Sequence, residues 1–219
     1  MASRFDAIIF DMVGVLIDSE PLHFEVLNEV LAEDGQVLSR AENEEFIGTT
    51  TEAMWQTLIA RRRLLRSMTD YRTRYDEILL RKLLQPREPA PGVVELIQRG
   101  RELGMRLAVA SSSRRIWIDA TLQSLGVSNA FDAIVSGDDV ERGKPDPRIY
   151  LLAAKRVGIP PQRCLAIEDS PNGVQSARRA GMVVLGVRTS YTAHLRLDGA
   201  ERIVDSLAEL DLSDDVLRL

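Results

Sequence analysis

Short apolar runs that alternate with helical stretches are the feature of this sequence that most restricts its fold. The runs show little alternation of polar and apolar residues, which is typical of strands buried on both faces. Such runs, separated by helices, predict a parallel sheet covered by helices on both sides. We therefore predict an α/β protein with a doubly wound, Rossmann-like core. The runs are AIIF (7–10), RLAVA (106–110), AIVS (133–136), CLAI (164–167) and VVLGV (183–187).

The alternation breaks after the first run, because residues 18–87 contain helical patterns and no convincing strand. Leu22, Val26 and Val30 form an apolar stripe at helical spacing. The stretches EAMWQTLIARRRLL and YDEILLRKLL predict two further helices, and three prolines in QPREPAPG then prevent a continuous helix. The sequence thus predicts a small all-helical cap domain (18–87) inserted into an α/β core (1–17 and 88–219).

Charge and cysteine content argue against several classes of protein. The formal net charge is -5 at pH 7, so we expect no nucleic-acid partner. The basic stretch ARRRLLR (60–66) is interpreted as a solvated helix face. A single cysteine, Cys164, allows no internal disulfide and fits a reducing compartment. We see no export leader and no run of about 18 apolar residues, and so expect a cytoplasmic protein with no membrane contact.

Polar residues follow the predicted strands, where open parallel sheets bind their ligands. Asp11 follows the first run, Ser111 the second, and Glu168 with Asp169 the fourth; GKPDP places Lys144 in a loop before the fourth run. Clustered carboxylates repel one another unless a hard cation lies among them, and Mg²⁺ prefers oxygen ligands of this kind. Ammonium and hydroxyl groups suit phosphate oxygens. The sequence therefore predicts a Mg²⁺-assisted phosphoryl-transfer site.

Each of these residues also has a purely structural interpretation. An aspartate at the end of a strand is commonly a helix cap or a turn residue. The stretches SSS (111–113) and EDSPNG (168–173) resemble capped turns, and Lys144 alone resembles a surface lysine. Their joint placement after successive strands favours the catalytic interpretation.

Four stretches resemble the haloacid dehalogenase-like hydrolase superfamily, in the branch of β-phosphoglucomutase-like and phosphoglycolate phosphatase-like enzymes with a helical cap. The stretches follow in the family's order along essentially the whole chain. The resemblance implies a Mg²⁺-dependent hydrolase of a small phosphorylated metabolite that acts through an aspartyl-phosphate. The stretches are FDMVGVLIDSEPLH (10–23), LAVASSS (107–113), GKPDPRIYLLAAKRVGI (143–159) and CLAIEDSPNGVQSARRAGM (164–182).

The resemblance also implies a role for each matched residue. Asp11 would be the nucleophile, and the cap would close over the site and select the leaving group. The implied metal ligands are Asp11, the backbone carbonyl of Val13, Glu168 and Asp169. The implied phosphate-binding residues are Ser111, Ser112 and Lys144, and Asn172 would orient the metal-site loop.

One position departs from the family pattern. The family has a second aspartate two residues after the nucleophile, which protonates the leaving oxygen and later activates the attacking water. This chain has Val13 there. Since a positioned general acid or base contributes about 10² to 10⁴ in rate, we expect turnover to be slower by about that factor.

Three explanations for Val13 are open. It is a substitution in an otherwise ordinary phosphatase, or a sign of phosphonoacetaldehyde hydrolase chemistry, or a mark of a non-catalytic protein that binds a phosphorylated metabolite. The second explanation requires a cap lysine that forms a Schiff base. The one lysine of the predicted cap, Lys82, lies near its exit rather than in its early helices, which disfavours that explanation.

Two cap residues bear on the choice between phosphatase and sugar-phosphate mutase. His23 falls where the mutases have a cap-hinge histidine, whereas Thr51 stands where the mutase cap has an arginine for a second phosphate. We therefore favour hydrolysis of a substrate with one phosphate. We expect a monomer or a weak homodimer.

Overall fold

The structure, a computed structural model, describes residues 4–46, 51–189 and 192–210. The chain forms two compact units. One comprises Met1–Asp18 and Pro86–Leu219, and the other comprises Ser19–Gln85. We call them the core unit and the helical unit.

A six-stranded parallel sheet lies at the centre of the core unit, which confirms the doubly wound α/β class. The strands are β1 (Ala7–Phe10), β2 (Arg106–Ala110), β3 (Ala133–Val135), β4 (Cys164–Glu168), β5 (Val183–Val187) and β6 (Arg202–Val204). Their order is β3-β2-β1-β4-β5-β6, so β1 lies between β2 and β4. The sequence does not predict β6, because it begins with Arg202 and two of its three residues are exposed, so no apolar run marks it.

The helices are α1 (Glu20–Ala32), α2 (Arg40–Glu44), α3 (Thr51–Arg62), α4 (Met68–Leu83), α5 (Val93–Glu102), α6 (Arg115–Ser124), α7 (Arg148–Val157) and α8 (Pro171–Arg179). The first four belong to the helical unit and the last four to the core unit. Within the described ranges, no helix combines the length and the apolar character needed to cross a membrane.

Strand β1 contributes to two apolar clusters, one on each face of the sheet. Ile8 and Phe10 belong to one cluster, and Ala7 and Ile9 belong to the other. All four side chains are fully buried. Because both faces of the strand are covered, polar residues do not alternate with apolar ones along it.

The helical unit is built around α1 and α4. Leu22, Val26 and Val30 are buried on α1, as the apolar stripe predicts. The sequence patterns do not predict the short helix α2, which begins with a capping box: Ser39 Oγ accepts from the Glu42 N–H at 3.2 Å, and Glu42 Oε2 accepts from the Ser39 N–H at 2.9 Å.

The basic stretch at 60–66 forms ion pairs within the helical unit. Arg62 donates to Glu42 Oε1 at 2.5 Å. Arg66 donates to Asp34 Oδ2 at 2.9 Å, and its guanidinium carbon lies 4.5 Å from the centroid of the Tyr71 ring. These arginines therefore belong to the ion-paired surface of the unit, but α3 ends at Arg62, so only residues 60–62 of the stretch lie on a helix and the interpretation as a helix face is wrong for residues 63–66.

Candidate active site

Three adjacent strands bring their carboxyl ends to one edge of the core sheet. Asp11 directly follows the central strand β1, and its backbone N–H donates to Ile167 O at 2.9 Å. Ser111 directly follows β2. Glu168 is the last residue of β4, and Asp169 comes next. Because parallel strands end at the same edge, the residues predicted from the sequence lie together there.

Asp11, Glu168 and Asp169 form a cluster of buried carboxylates. One oxygen of each lies within 4.8 Å of the others. The three residues are 7%, 0% and 7% exposed, respectively. Buried like charges are unfavourable unless protons or a cation offset them. A group of oxygen donors at this spacing fits a hard divalent cation such as Mg²⁺.

Lys144 places a positive charge inside this cluster. Its Nζ lies 2.5 Å from Asp11 Oδ1 and 2.5 Å from Glu168 Oε1, and only 7% of its side chain is exposed. Burial alone lowers the pKa of Lys144, but the two carboxylates outweigh burial and leave the pKa above its ordinary value. Lys144 therefore remains protonated in the folded protein.

Burial and the ammonium group of Lys144 have opposite effects on the pKa of Asp11. Burial, and to a smaller extent the charge of Glu168, raises the pKa of Asp11 while Lys144 lowers it, and the net result is a pKa of about 7. A carboxylate must be ionised to act as a nucleophile. A further positive charge beside Asp11 would favour its ionised form, which again fits a divalent cation at this position.

Glu168 accepts hydrogen bonds at both of its carboxylate oxygens. Oε1 accepts from Lys144 Nζ at 2.5 Å and from the Tyr150 hydroxyl at 2.6 Å. Oε2 accepts from the Asp169 N–H and from Ser170 Oγ, both at 3.2 Å. A metal ion at Glu168 would therefore compete with these donors for the lone pairs. In this geometry the carboxylate of Glu168 holds Lys144 in place.

Tyr150 is a site residue that the sequence reasoning missed. It lies on α7 and is fully buried, and Lys144 Nζ lies 5.1 Å from the centroid of its ring. Burial and the charge of Glu168 raise the pKa of Tyr150, so its hydroxyl remains a donor. The sequence feature that could have identified Tyr150 is its core-facing position on the helix after the GKPDP loop. A buried tyrosine hydroxyl requires a polar partner, which at this place would belong to the site.

Two glycines allow the backbone to approach the carboxylates closely. A Cβ atom at Gly173 would lie 1.9 Å from Glu168 Oε2, and one at Gly14 would lie 1.9 Å from Asp169 Oδ2. Gly14 also has a φ of +87°, which glycine adopts at little cost. A side chain at either position would displace a carboxylate of the cluster.

Val13 lies in a tight turn that follows β1 and spans residues 12–17. The Leu16 N–H donates to Met12 O at 2.9 Å, and the Gly14 N–H donates to Ile17 O at 2.7 Å. The side chain of Val13 is half-buried and packs against an apolar core cluster. It brings no ionisable group to the site. The role of its backbone carbonyl as a metal ligand remains a prediction.

The predicted phosphate-binding serines differ in exposure. Ser111 is 2% exposed, and its Oγ accepts from the Ser113 N–H at 3.2 Å. Ser112 is exposed, and so is Asn172 on the first turn of α8. Their roles in binding phosphate and supporting the metal loop remain predictions.

The two predicted cap residues lie in the helical unit. His23 is on α1, and its Nδ1 lies 2.7 Å from the Tyr75 hydroxyl. Burial lowers the pKa of His23 to about 4, so the ring is neutral at pH 7. Thr51 is the first residue of α3, and the IGT turn before it lies outside the described residues. The proposed substrate contacts of both residues remain predictions.

Comparison with known proteins identifies the class. The sequence profile of haloacid dehalogenase-like hydrolases matches residues 5–181. The putative phosphatase YhcW of Bacillus subtilis is 34% identical over 211 residues, which cover 94% of each chain. The fructose-1-phosphate phosphatase YqaB of Escherichia coli is 33% identical and covers 86% of this chain and 99% of its own.

The fold agrees with solved structures of the same class. CbbY from Rhodobacter sphaeroides in complex with phosphate superimposes with a TM-score of 0.89 at 31% identity, over 98% of this chain and 100% of that chain. A mutant of the same CbbY in complex with xylulose-(1,5)bisphosphate superimposes with a TM-score of 0.86 at 31% identity, over 94% of this chain and 96% of that chain.

The fold and the buried cluster of carboxylates and lysine thus agree with a class of hydrolases whose members include phosphatases. The chain belongs to the haloacid dehalogenase-like hydrolases, in their β-phosphoglucomutase-like and phosphoglycolate phosphatase-like branch, which confirms the resemblance of the motifs.

Proposed function

We propose that this protein hydrolyses the phosphoester bond of a small phosphorylated metabolite, such as a sugar phosphate, through a phosphoryl group carried on Asp11. The observation that carries the proposal is the position of Asp11. Its carboxylate is buried at the carboxyl end of the central strand, 2.5 Å from the ammonium group of Lys144. The phosphatase relatives support the same reaction.

In the first step, an Asp11 oxygen attacks phosphorus and the bond from phosphorus to the leaving oxygen breaks. In the second step, water attacks the same phosphorus and regenerates the Asp11 carboxylate. Lys144 offsets negative charge on the phosphoryl oxygens in both steps. Because Val13 cannot exchange protons, both steps rely on solvent for proton transfer and are slow.

Mg²⁺ is the proposed cofactor. The residues that would hold it are Asp11 and Asp169, together with the backbone carbonyl of Val13 and, if it yields a donor, Glu168. When bound, the ion supplies positive charge that favours ionised Asp11 and offsets the phosphoryl oxygens. The fit rests on three buried carboxylates whose negative charge exceeds the single charge of Lys144.

A non-catalytic binding protein is the second candidate, and Val13 is the observation that favours it. The phosphate-binding and metal-binding positions do not depend on the side chain of residue 13, so binding can persist without turnover. We disfavour a mutase because Thr51 replaces the arginine implied for a second phosphate. Cytoplasmic location and a monomer or weak homodimer remain part of the proposal.

The test measures Mg²⁺-dependent release of phosphate from p-nitrophenyl phosphate and a panel of sugar phosphates. The protein is compared with its Val13→Asp and Asp11→Asn variants. We expect slow turnover by the unmodified chain, a gain of about 10² or more for Val13→Asp, and none for Asp11→Asn. Labelling of Asp11 by beryllium fluoride only when Mg²⁺ is present would add support. Substrate binding without turnover by any form would favour the binding protein.

A further inference from the structure

We infer that, among small phosphorylated metabolites, this chain prefers those with a weakly basic leaving group, such as acyl phosphates, and turns over phosphate esters of alcohols more slowly. The inference rests on the proposed function and narrows it to a class of substrate. Its basis is the supply of protons to the leaving oxygen.

The bond that breaks determines whether a proton is needed. When Asp11 attacks an alcohol ester, the electron pair of the breaking bond goes to an alkoxide, which is a strong base and requires a proton as it leaves. When Asp11 attacks an acyl phosphate, the same pair goes to a carboxylate, whose conjugate acid has a pKa of about 4. That leaving group departs as a stable anion and requires no general acid.

Among the described residues of the core unit, the side chains around the carboxylate cluster do not replace the missing acid. Val13 is apolar and packs against the core. Lys144 Nζ donates to Asp11 Oδ1 and Glu168 Oε1, which keep it charged and hold it in the cluster. The Tyr150 hydroxyl donates to Glu168 from a fully buried position. The hydroxyl hydrogen of Tyr150 and two of the three ammonium hydrogens of Lys144 are therefore committed to carboxylates that would lose a partner if the proton left.

Glu168 is a poor proton donor for a related reason. Both of its oxygens accept hydrogen bonds, which occupy the lone pairs that a transferable proton would need. Asp11 is the attacking group in the proposed reaction and cannot also donate a proton to the leaving oxygen, and Asp169 completes the acidic cluster proposed to hold the cation. The charges of the site therefore favour departure of an anion that needs no proton.

The first experiment uses the unmodified protein and a series of leaving groups. We would measure kcat/KM with saturating Mg²⁺ for acetyl phosphate, p-nitrophenyl phosphate, phenyl phosphate and fructose 1-phosphate, because kcat/KM reports formation of the phosphorylated Asp11. We expect kcat/KM to fall steeply along the series, with acetyl phosphate ahead of fructose 1-phosphate by about 10² or more.

The second experiment restores an acid. Val13→Asp is measured with the same series, and Val13→Asn serves as its matched control, because asparagine has the shape of aspartate without its proton. We expect Val13→Asp to raise kcat/KM by about 10² to 10⁴ with fructose 1-phosphate and by less than about threefold with acetyl phosphate. Val13→Asn should not reproduce this selective gain.

The outcomes separate this inference from the proposed function. If Val13→Asp folds poorly, as circular dichroism would reveal, the first experiment still decides the question. Equal kcat/KM values across the series for the unmodified protein would mean that another group protonates the leaving oxygen, and would overturn the inference while the phosphatase proposal stands. Absence of any Mg²⁺-dependent turnover by either form would overturn the proposed function and the inference with it.

Discussion

Substitution of Gly173 by alanine tests how rigidly the carboxylate of Glu168 is held. In an open helix, glycine to alanine stabilises a protein by about 1 kcal/mol. At Gly173, on the first turn of α8, the new Cβ would lie 1.9 Å from Glu168 Oε2, whereas real Cβ contacts are essentially never below 3.0 Å. The carboxylate must therefore move or the helix must shift.

The magnitude follows from the donors that Glu168 would lose. Its Oε1 accepts from Lys144 at 2.5 Å and from Tyr150 at 2.6 Å. Hydrogen bonds to charged groups contribute about 1.5 to 3 kcal/mol each, so loss of both outweighs the gain in helix propensity. We expect Gly173→Ala to lower the free energy of unfolding by about 2 to 5 kcal/mol.

The assay is urea unfolding followed by tryptophan fluorescence, in a Trp55→Phe background so that Trp117 reports on the core unit alone. Gly100→Ala on α5 is the matched control, because its Cβ would meet only side-chain methyl groups, with Leu107 Cδ2 nearest at 3.0 Å. We expect this control to change stability by less than about 1 kcal/mol. If Gly173→Ala were as stable as Gly100→Ala, the carboxylate would not be held as we describe.

Three further predictions concern single side chains. Tyr150→Phe keeps the ring but removes a donor from a buried carboxylate, so the free energy of unfolding measured in urea should fall by about 1.5 to 3 kcal/mol. Hydrogen bonds from Arg156 and Ser136 lower the pKa of Asp139 to about 2. The ionised Asp139 therefore stabilises the fold at pH values above its ordinary pKa, and this stabilisation is lost as the pH falls towards 2. The difference in thermal stability between the protein and its Asp139→Asn variant should be clear at pH 7 and should vanish near pH 2. In the helical unit, Arg66→Ala removes two ion pairs and a contact with an aromatic ring, and should lower the free energy of unfolding by about 1 to 2 kcal/mol. Its control, Arg61→Ala, removes one exposed ion pair and should lower the free energy of unfolding by less than about 0.5 kcal/mol in the same urea titration.

Sequence patterns were sufficient wherever a strand was a run of apolar residues buried on both faces of the sheet. β1 and β4 are such segments, and their carboxyl ends place Asp11 and Glu168 side by side. The parallel arrangement then follows from the helices between the strands. By contrast, two of the three residues of β6 are exposed and α2 buries no residue, so no apolar run or stripe marks either element in the sequence.

The sequence predicts which charged residues belong to the site, but it does not predict how their side chains contact one another. Lys144 was placed in the right loop, but the sequence does not show that its ammonium lies on two carboxylates rather than in solvent. Tyr150 resembles an ordinary core residue because its ring does fill the core, and only its hydroxyl serves the site. Gly14 and Gly173 were missed because a close approach of backbone to carboxylate depends on how the loops fold around the cluster.

The central place of β1 has a consequence for the order in which the chain can fold during synthesis. β1 is made first, yet its neighbours are β2 and β4, and Ala7 pairs with Arg106 and Cys164. The helical unit is complete once Gln85 has been made, whereas β1 has no sheet partner until β2 has left the ribosome. Its apolar residues Ile8, Ile9 and Phe10 therefore have no sheet partner until residues 106–109 have been made. This long-range pairing predicts slow closure of the core and makes the nascent N-terminal strand a natural segment for chaperone protection.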